Sequence, residues 1–297
     1  IHGLTVGLGG GSVSTNTVVG YLAGNSNTSG LENVFIGYGA GLLNTSGSGG
    51  TFVGKAAGYN NTSGQENSAF GDSALQSNTT GAYNVALGRS ALLSNTTASN
   101  NTAVGFQAGY NNTAGYNTFL GYRAGYGNTT GETQVGIGRY ALGGGSAGVT
   151  GSNNTAVGNA ALYSATSGAD NTAIGQQSLY LNTTGSQNVG VGFASLNVNT
   201  SGAYNVAVGY AALNANTTAN YNTAIGYQAG YSATTGGHNV SVGFQTNAGN
   251  QTGAFNVAVG DNALYSSTAS SNVGIGYYSL FANTTGTANV AIGGYDG

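Results

Sequence analysis

A pentad of the form Asn, Thr or Val, Ala, Val or Ile, Gly returns about every 17 residues along nearly the whole chain, and nothing else in the sequence limits the fold so tightly. Units begin at Asn16, Asn33, Gly50, Asn67, Asn84, Asn101, Asn117, Gln134, Asn154, Asn171, Asn188, Asn205, Asn222, Asn239, Asn256, Asn272 and Asn289. Sixteen units are full and one is partial; thirteen of the sixteen spacings are 17 residues, two are 16, and one is 20, where Gly143-Gly144-Gly145 falls. Insertions therefore fall in the second half of the unit. A short unit repeated in this way gains a core by stacking on its neighbours.

Apolar residues do not recur at helical spacing, whereas β-branched residues gather just before the pentad Gly and turn residues follow in every unit. The sequence therefore predicts an all-β, parallel β-solenoid of about 16 coils on a 17-residue repeat. Residues 1–15 read as a lead-in coil and 16–297 as one continuous solenoid domain. With strands about 4.8 Å apart, that solenoid is a rod on the order of 75 Å long.

Within the unit, the fourth position is apolar in all seventeen cases, from Val19 and Ile36 through Phe70 and Leu87 to Ile292, and is expected to be the core column. Period-2 alternation puts the second position on the same face and the small third position on the other. The fifth position is Gly in every unit (Gly20, Gly37, Gly54, Gly71, Gly88 and on to Gly293), which points to a backbone angle or close approach that a side chain forbids. A second short strand is expected to carry a small eighth residue and then Leu75, Leu92, Leu162 or Leu213, pointing inward. Segments such as Asn78 to Gly81 and Asn182 to Gly185 have the residues of a closing turn. The first-position Asn, present in 15 of 17 units (Asn16, Asn33, Asn67, Asn84, Asn101 among them), predicts an amide ladder along the stack.

Composition narrows the function. There are 56 Gly and no Pro, Cys, Met or Trp, only 4% of residues are charged, and the net charge is −3. Ordinary soluble domains carry roughly 25% charge, and four basic residues give too little to bind nucleic acid. Without Cys there is no disulfide framework and no thiolate metal site. No run reaches the roughly 20 apolar residues of a membrane helix, so membrane insertion is not expected. The beginning at Ile1-His2 and the end at Asp296-Gly297, inside a repeat, read as a piece of something longer.

Candidate chemistry is sparse, and the chain is not expected to be an enzyme or to hold a metal or cofactor. His2 and His238 are the only two histidines. Glu32 and Glu66 share one column two coils apart, close to the carboxyl separation an inverting glycosidase uses. They are the only material for a tailspike-like depolymerase. Gly9-Gly10-Gly11 and Gly143-Gly144-Gly145 lack the Lys-Ser/Thr that makes a phosphate loop. The tenth-position Tyr59, Tyr110, Tyr126, Tyr163 and Tyr180 form columns that either stack on sugars or cover the solenoid. Asn78, Asn95 and Asn182 sit in Asn-x-Ser/Thr triplets, read as turn chemistry or as glycosylation sites. Lys55, Asp72 and Arg89, at the sixth position of three consecutive coils, are expected to form a surface charge ladder. Third- and eighth-position strips of Ala, Gly and Ser either suit close packing against another chain or keep the coil narrow.

The pattern Asn-Thr-Ala-Val-Gly-x-x-Ala-Leu, repeated over residues 16 to 293, resembles the head repeats of YadA-like trimeric autotransporter adhesins and related phage tail-fibre repeats. Ala173-Ile174-Gly175-Gln176-Gln177-Ser178 and Ala224-Ile225-Gly226-Tyr227-Gln228-Ala229 match the shorter adhesin form. The resemblance implies a left-handed β-roll and a homotrimer or longer filament, located outside the cell or on a virion, with a cell-surface glycan or receptor as partner. The function expected is that of a stiff structural or adhesive rod. The alternative is a monomeric solenoid presenting Tyr, Thr and Asn arrays to glycans or ice.

Overall fold

A computed structural model describes residues 6–143 and 148–294. The chain is an all-β solenoid of about sixteen turns, with one three-residue strand per repeat and no helix among the described residues. It divides into two compact units, residues 1–150 and 151–297.

In the first unit β1 (Val6–Gly7) pairs antiparallel with β2 (Thr17–Val19), and the parallel stack then runs from β2 to β9 (Val135–Ile137). The lead-in covers the first coil, where the Gly10 amide donates to the Gly24 carbonyl (3.0 Å). The second unit stacks β10 (Thr155–Val157) to β18 (Val290–Ile292), again all parallel. Register follows the repeat: Val85 lies beside Thr102, Ala86 beside Ala103 and Leu87 beside Val104.

The core lies opposite to the expected side. The third position is the buried one, with Phe35, Phe52, Ala69, Ala86, Phe119 and Ala156 fully enclosed, while the second and fourth positions face outward. The fourth-position column of Ile36, Phe70, Leu87 and Ile292 is thus a surface row. The reason lies in the first-position Asn. Its side chain is bonded inside the coil, and alternation carries the third residue inward with it. The third and eighth positions both line the interior of a narrow coil, the eighth small and the third mostly small or Phe, and neither strip is free to pack against another chain.

No second strand forms among the described residues. Residues six to eleven of the unit run as turns, with the seventh and ninth residues at positive φ even where they are not Gly, as at Ser73 (59°) and Leu75 (52°). The ninth-position Leu does point inward, and Leu75, Leu92, Leu162 and Leu213 are buried. Left-handed backbone costs a residue with a Cβ roughly 1–2 kcal/mol. Here it is held by bonds to neighbouring coils: the Ser73 amide donates to Lys55 carbonyl oxygen (2.9 Å), and the Leu75 amide donates to that of Ala91 (2.9 Å).

Core filling follows a size rule. Where the third residue is large the ninth is Gly, as in Phe35 with Gly41, Phe52 with Gly58 and Phe119 with Gly125. Where the third is Ala or Gly, the ninth is often Leu, as in Ala86 with Leu92, Ala173 with Leu179 and Gly190 with Leu196. A Cβ on Gly58 would sit 2.6 Å from the Phe52 ring, so the two walls compete for one volume. Ala103 with Gly109 leaves both walls small, and there the neighbouring Leu92 and Phe119 close in, each within 3 Å of where a Gly109 Cβ would be.

The pentad Gly has a specific cause. Gly54 holds φ of 135°, and a Cβ there would meet the Gly71 carbonyl oxygen of the next coil at 2.5 Å. Both the angle and the approach exclude a side chain.

Candidate functional site

Among the described residues the repeated features are ladders inside the coils and aromatic columns on their outside. The first-position Asn ladder forms as expected. The Asn33 backbone amide donates to Asn16 Oδ1 (2.8 Å) and Asn33 Nδ2 donates to the Gly47 carbonyl (2.9 Å), and the same pattern recurs at Asn84, Asn171, Asn188 and Asn205, while at Asn101 both the backbone amide and Nδ2 donate to Asn84 Oδ1.

A second amide ladder runs through the twelfth position. Asn44 Nδ2 donates to Asn27 Oδ1 (2.9 Å), Asn61 to Asn44 (2.8 Å) and Asn78 to Asn61 (2.7 Å), while each Nδ2 also donates to the carbonyl three residues on. Asn78, Asn95 and Asn182 are therefore fully buried. That corrects the glycosylation reading, because in the folded chain an amide nitrogen bonded within the stack is closed to a glycosyl carrier. A third ladder, not anticipated from sequence, comes from the thirteenth-position Thr. Thr45 Oγ1 donates to the Thr62 carbonyl and Thr62 Oγ1 to that of Thr79, each at 3.0 Å. The Asn-Thr-x-Gly turn held the signal: when every turn carries the same side chains in stacked register, each can bond across coils as well as within its own.

The amide ladder of the twelfth position is broken where the repeat is broken. Asn216 Oδ1 is buried without a partner, and the residue above it in the next coil is Ala233 in place of Asn. Asn128 Oδ1 is left likewise beside the 20-residue unit, and Asn95 Oδ1 beside the 16-residue one.

Aromatic side chains stack in columns on the outside. Tyr110 stacks on Tyr126 (5.2 Å) and Tyr163 on Tyr180 (5.1 Å), and these rings are half-buried, as is Tyr59, whose ring lies over Gly39. A longer stack runs through the sixth position, Phe193, Tyr210, Tyr227 and Phe244, at 5.1 to 5.2 Å. Another runs through the seventeenth, Tyr204, Tyr221, His238 and Phe255, at 4.8 to 5.0 Å. Rings stacked face to face turn their edges outward, whereas a sugar stacks on a ring face. The geometry thus favours packing within the surface over sugar platforms, and it places His238 between two rings. His2 and the pair Gly144-Gly145 lie outside the described residues.

Lys55, Asp72 and Arg89 lie in successive coils as expected, but they form no ion pairs. Asp72 accepts a hydrogen bond from the Ser73 hydroxyl (2.9 Å), and the Arg89 guanidinium lies over the Phe106 ring (5.9 Å). Arg123 Nε donates to Gln107 Oε1 (2.7 Å) and Arg139 lies over Tyr140 (4.9 Å). A hydrogen bond with Tyr122 holds the Tyr140 phenol below its ordinary value, aided by the nearby Arg139 and Arg123. Glu32 and Glu66 fall in one exposed column with Gly49 between them, on an open depression also lined by Ser48, Gln65 and Ser68. Among the described residues no group of three or more His, Asp or Glu could hold a metal ion.

No protein-family model, curated protein or solved structure matches this chain.

Proposed function

We propose that the chain is a segment of an extracellular fibre or surface adhesin, such as a tail fibre or cell-surface filament, acting as a stiff rod rather than as a catalyst. The observation that carries this is the triple ladder. Two buried rows of Asn and one row of Thr, interrupted at a few coils, tie successive coils together with side-chain bonds added to the backbone pairing. Such redundancy resists bending and local opening, which is the mechanical demand on a fibre. The chain self-associates in this reading, and it either adheres directly or projects a binding element to a cell-surface glycan or receptor.

Length tests the rod. Deleting one whole repeat, residues 188–204, should leave a folded protein shortened by about 4.8 Å in small-angle scattering or electron microscopy. A compact particle whose length ignores repeat number overturns the reading. Attachment of the intact chain to glycan arrays or cells separates a directly adhesive rod from a purely mechanical one.

A further inference from the structure

All four basic residues of the chain lie on one side of the strand stack of residues 1–150. Lys55, Arg89 and Arg139 occupy the sixth position and Arg123 the seventh, just after a strand. Glu32 and Glu66 at the seventeenth position and Glu132 at the sixteenth lie on the other side, just before a strand. Because the strands are parallel, these positions form two separate edges. Only Asp72 falls on the basic edge. Between the edges run the outward rows, whose fourth-position residues Ile36, Phe70, Leu87 and Leu120 remain 37% to 45% exposed.

We propose that this face seats a second copy of the same chain, aligned parallel, so that the basic edge of one copy meets the acidic edge of the other. The proposal rests on the fibre reading and adds its surface and direction. Two copies related by an axis along the solenoid bring opposite edges together. Two copies related by an axis across it bring basic to basic and acidic to acidic. In the parallel arrangement Glu132 lies level with Arg139, and Glu66, level with Asp72, lies one coil, about 4.8 Å, from both Lys55 and Arg89. Lys and Arg reach across that offset.

The area suffices. Seven residues from the seventeenth to the sixth position span about 20 Å, and eight strands rise about 40 Å, giving a face of roughly 800 Å². A standard protein interface buries about 800 Å² on each partner. Apolar rows would supply the affinity, and the charged edges would choose the direction.

Sedimentation equilibrium of the full chain tests this with three variants at exposed or half-exposed edge positions: Lys55→Glu/Arg89→Glu, Glu32→Lys/Glu66→Lys, and the fourfold exchange. Each single-edge variant should weaken self-association about tenfold at low salt, and less at about 1 M salt. The fourfold exchange should restore it. Phe70→Ser/Leu120→Ser, which alters outward residues only, should give monomers with unchanged circular dichroism. Wild-type chains that stay monomeric, or single-edge variants that associate as tightly as wild type, overturn the proposal. The length measurement is independent of both outcomes: a chain that stays monomeric but shortens by one coil when a repeat is deleted keeps the stiff rod and loses this interface together with self-association.

Discussion

Coils 33–66 and coils 171–204 have the same strand-and-turn backbone, the same twelfth-position Asn ladder and the same pentad Gly, yet they fill their interiors from opposite walls. In the first, Phe35 and Phe52 reach across from the strand to Gly41 and Gly58. In the second, the third positions are Ala173 and Gly190 and the interior is filled from the turn by buried Leu179 and Leu196, with Leu179 Cγ 3.4 Å from where a Gly190 Cβ would be. In these coils one interior volume is filled from either wall, and which wall supplies it is free. Stability should then depend on the sum across the coil and not on either residue alone.

The sharpest way to break that comparison is a wall exchange. Phe52→Ala alone should cost about 3–5 kcal/mol in thermal or urea unfolding. Gly58→Leu alone should be comparably damaging, since its Cβ would enter the Phe52 ring. The double variant Phe52→Ala/Gly58→Leu turns the coil into the second type and should recover most of the loss. A double variant no better than the sum of the singles would show that the two walls do not share one volume.

The ladders are common to both types of coil, so their loss should not depend on the filling. Asn61 donates to Asn44 Oδ1 and the Gly64 carbonyl and accepts from Asn78. Asn199 makes the same three bonds with Asn182, Gly202 and Asn216. Asn61→Ala and Asn199→Ala should each destabilise by about 2–3 kcal/mol, because each strands buried polar partners. Hydrogen exchange should show the opening spread to the adjoining coils in both cases. Unequal costs would mean that the filling sets ladder strength after all.

The repeat length, the strand register, the pentad Gly and the first Asn ladder were legible in the sequence. The inside of the coil was not, and the cause is specific. Hydrophobicity at the second and fourth positions outweighs the Ala of the third, so counting apolar residues assigns the wrong face. The buried Asn33 amide, which fixes the third residue inward, reads as polar. The size rule between the third and ninth positions was present in the letters, but it has meaning only once both are known to face one another. Asn78 and Asn95 likewise read as accessible triplets until stacking buried them.

A gap in the ladder gives the reverse test with a smaller effect. Ala233 stands where Asn would donate to the orphaned Asn216 Oδ1. Ala233→Asn should add about 1 kcal/mol of stability by completing the row towards Asn250, provided the extra amide fits the buried site. A loss would show that the coil had closed around Ala.

The smallest effect concerns charge, which separates the two regions more than any packing feature: residues 171–260 carry no Asp, Glu, Lys or Arg, while Lys55, Asp72 and Arg89 fall in consecutive coils of the first unit. If the charge column held its coils together, the charged region would have a term the neutral one lacks. Geometry argues otherwise, since Asp72 is bonded to Ser73 and Arg89 lies over Phe106. Exposed pairs contribute at most about 1 kcal/mol even when formed. Asp72→Asn in the isolated chain should therefore shift unfolding by less than about 0.5 kcal/mol at low or high salt. A larger loss confined to low salt would mean that the column is paired in solution and that charge, absent from the other region, replaces part of what ladders do there.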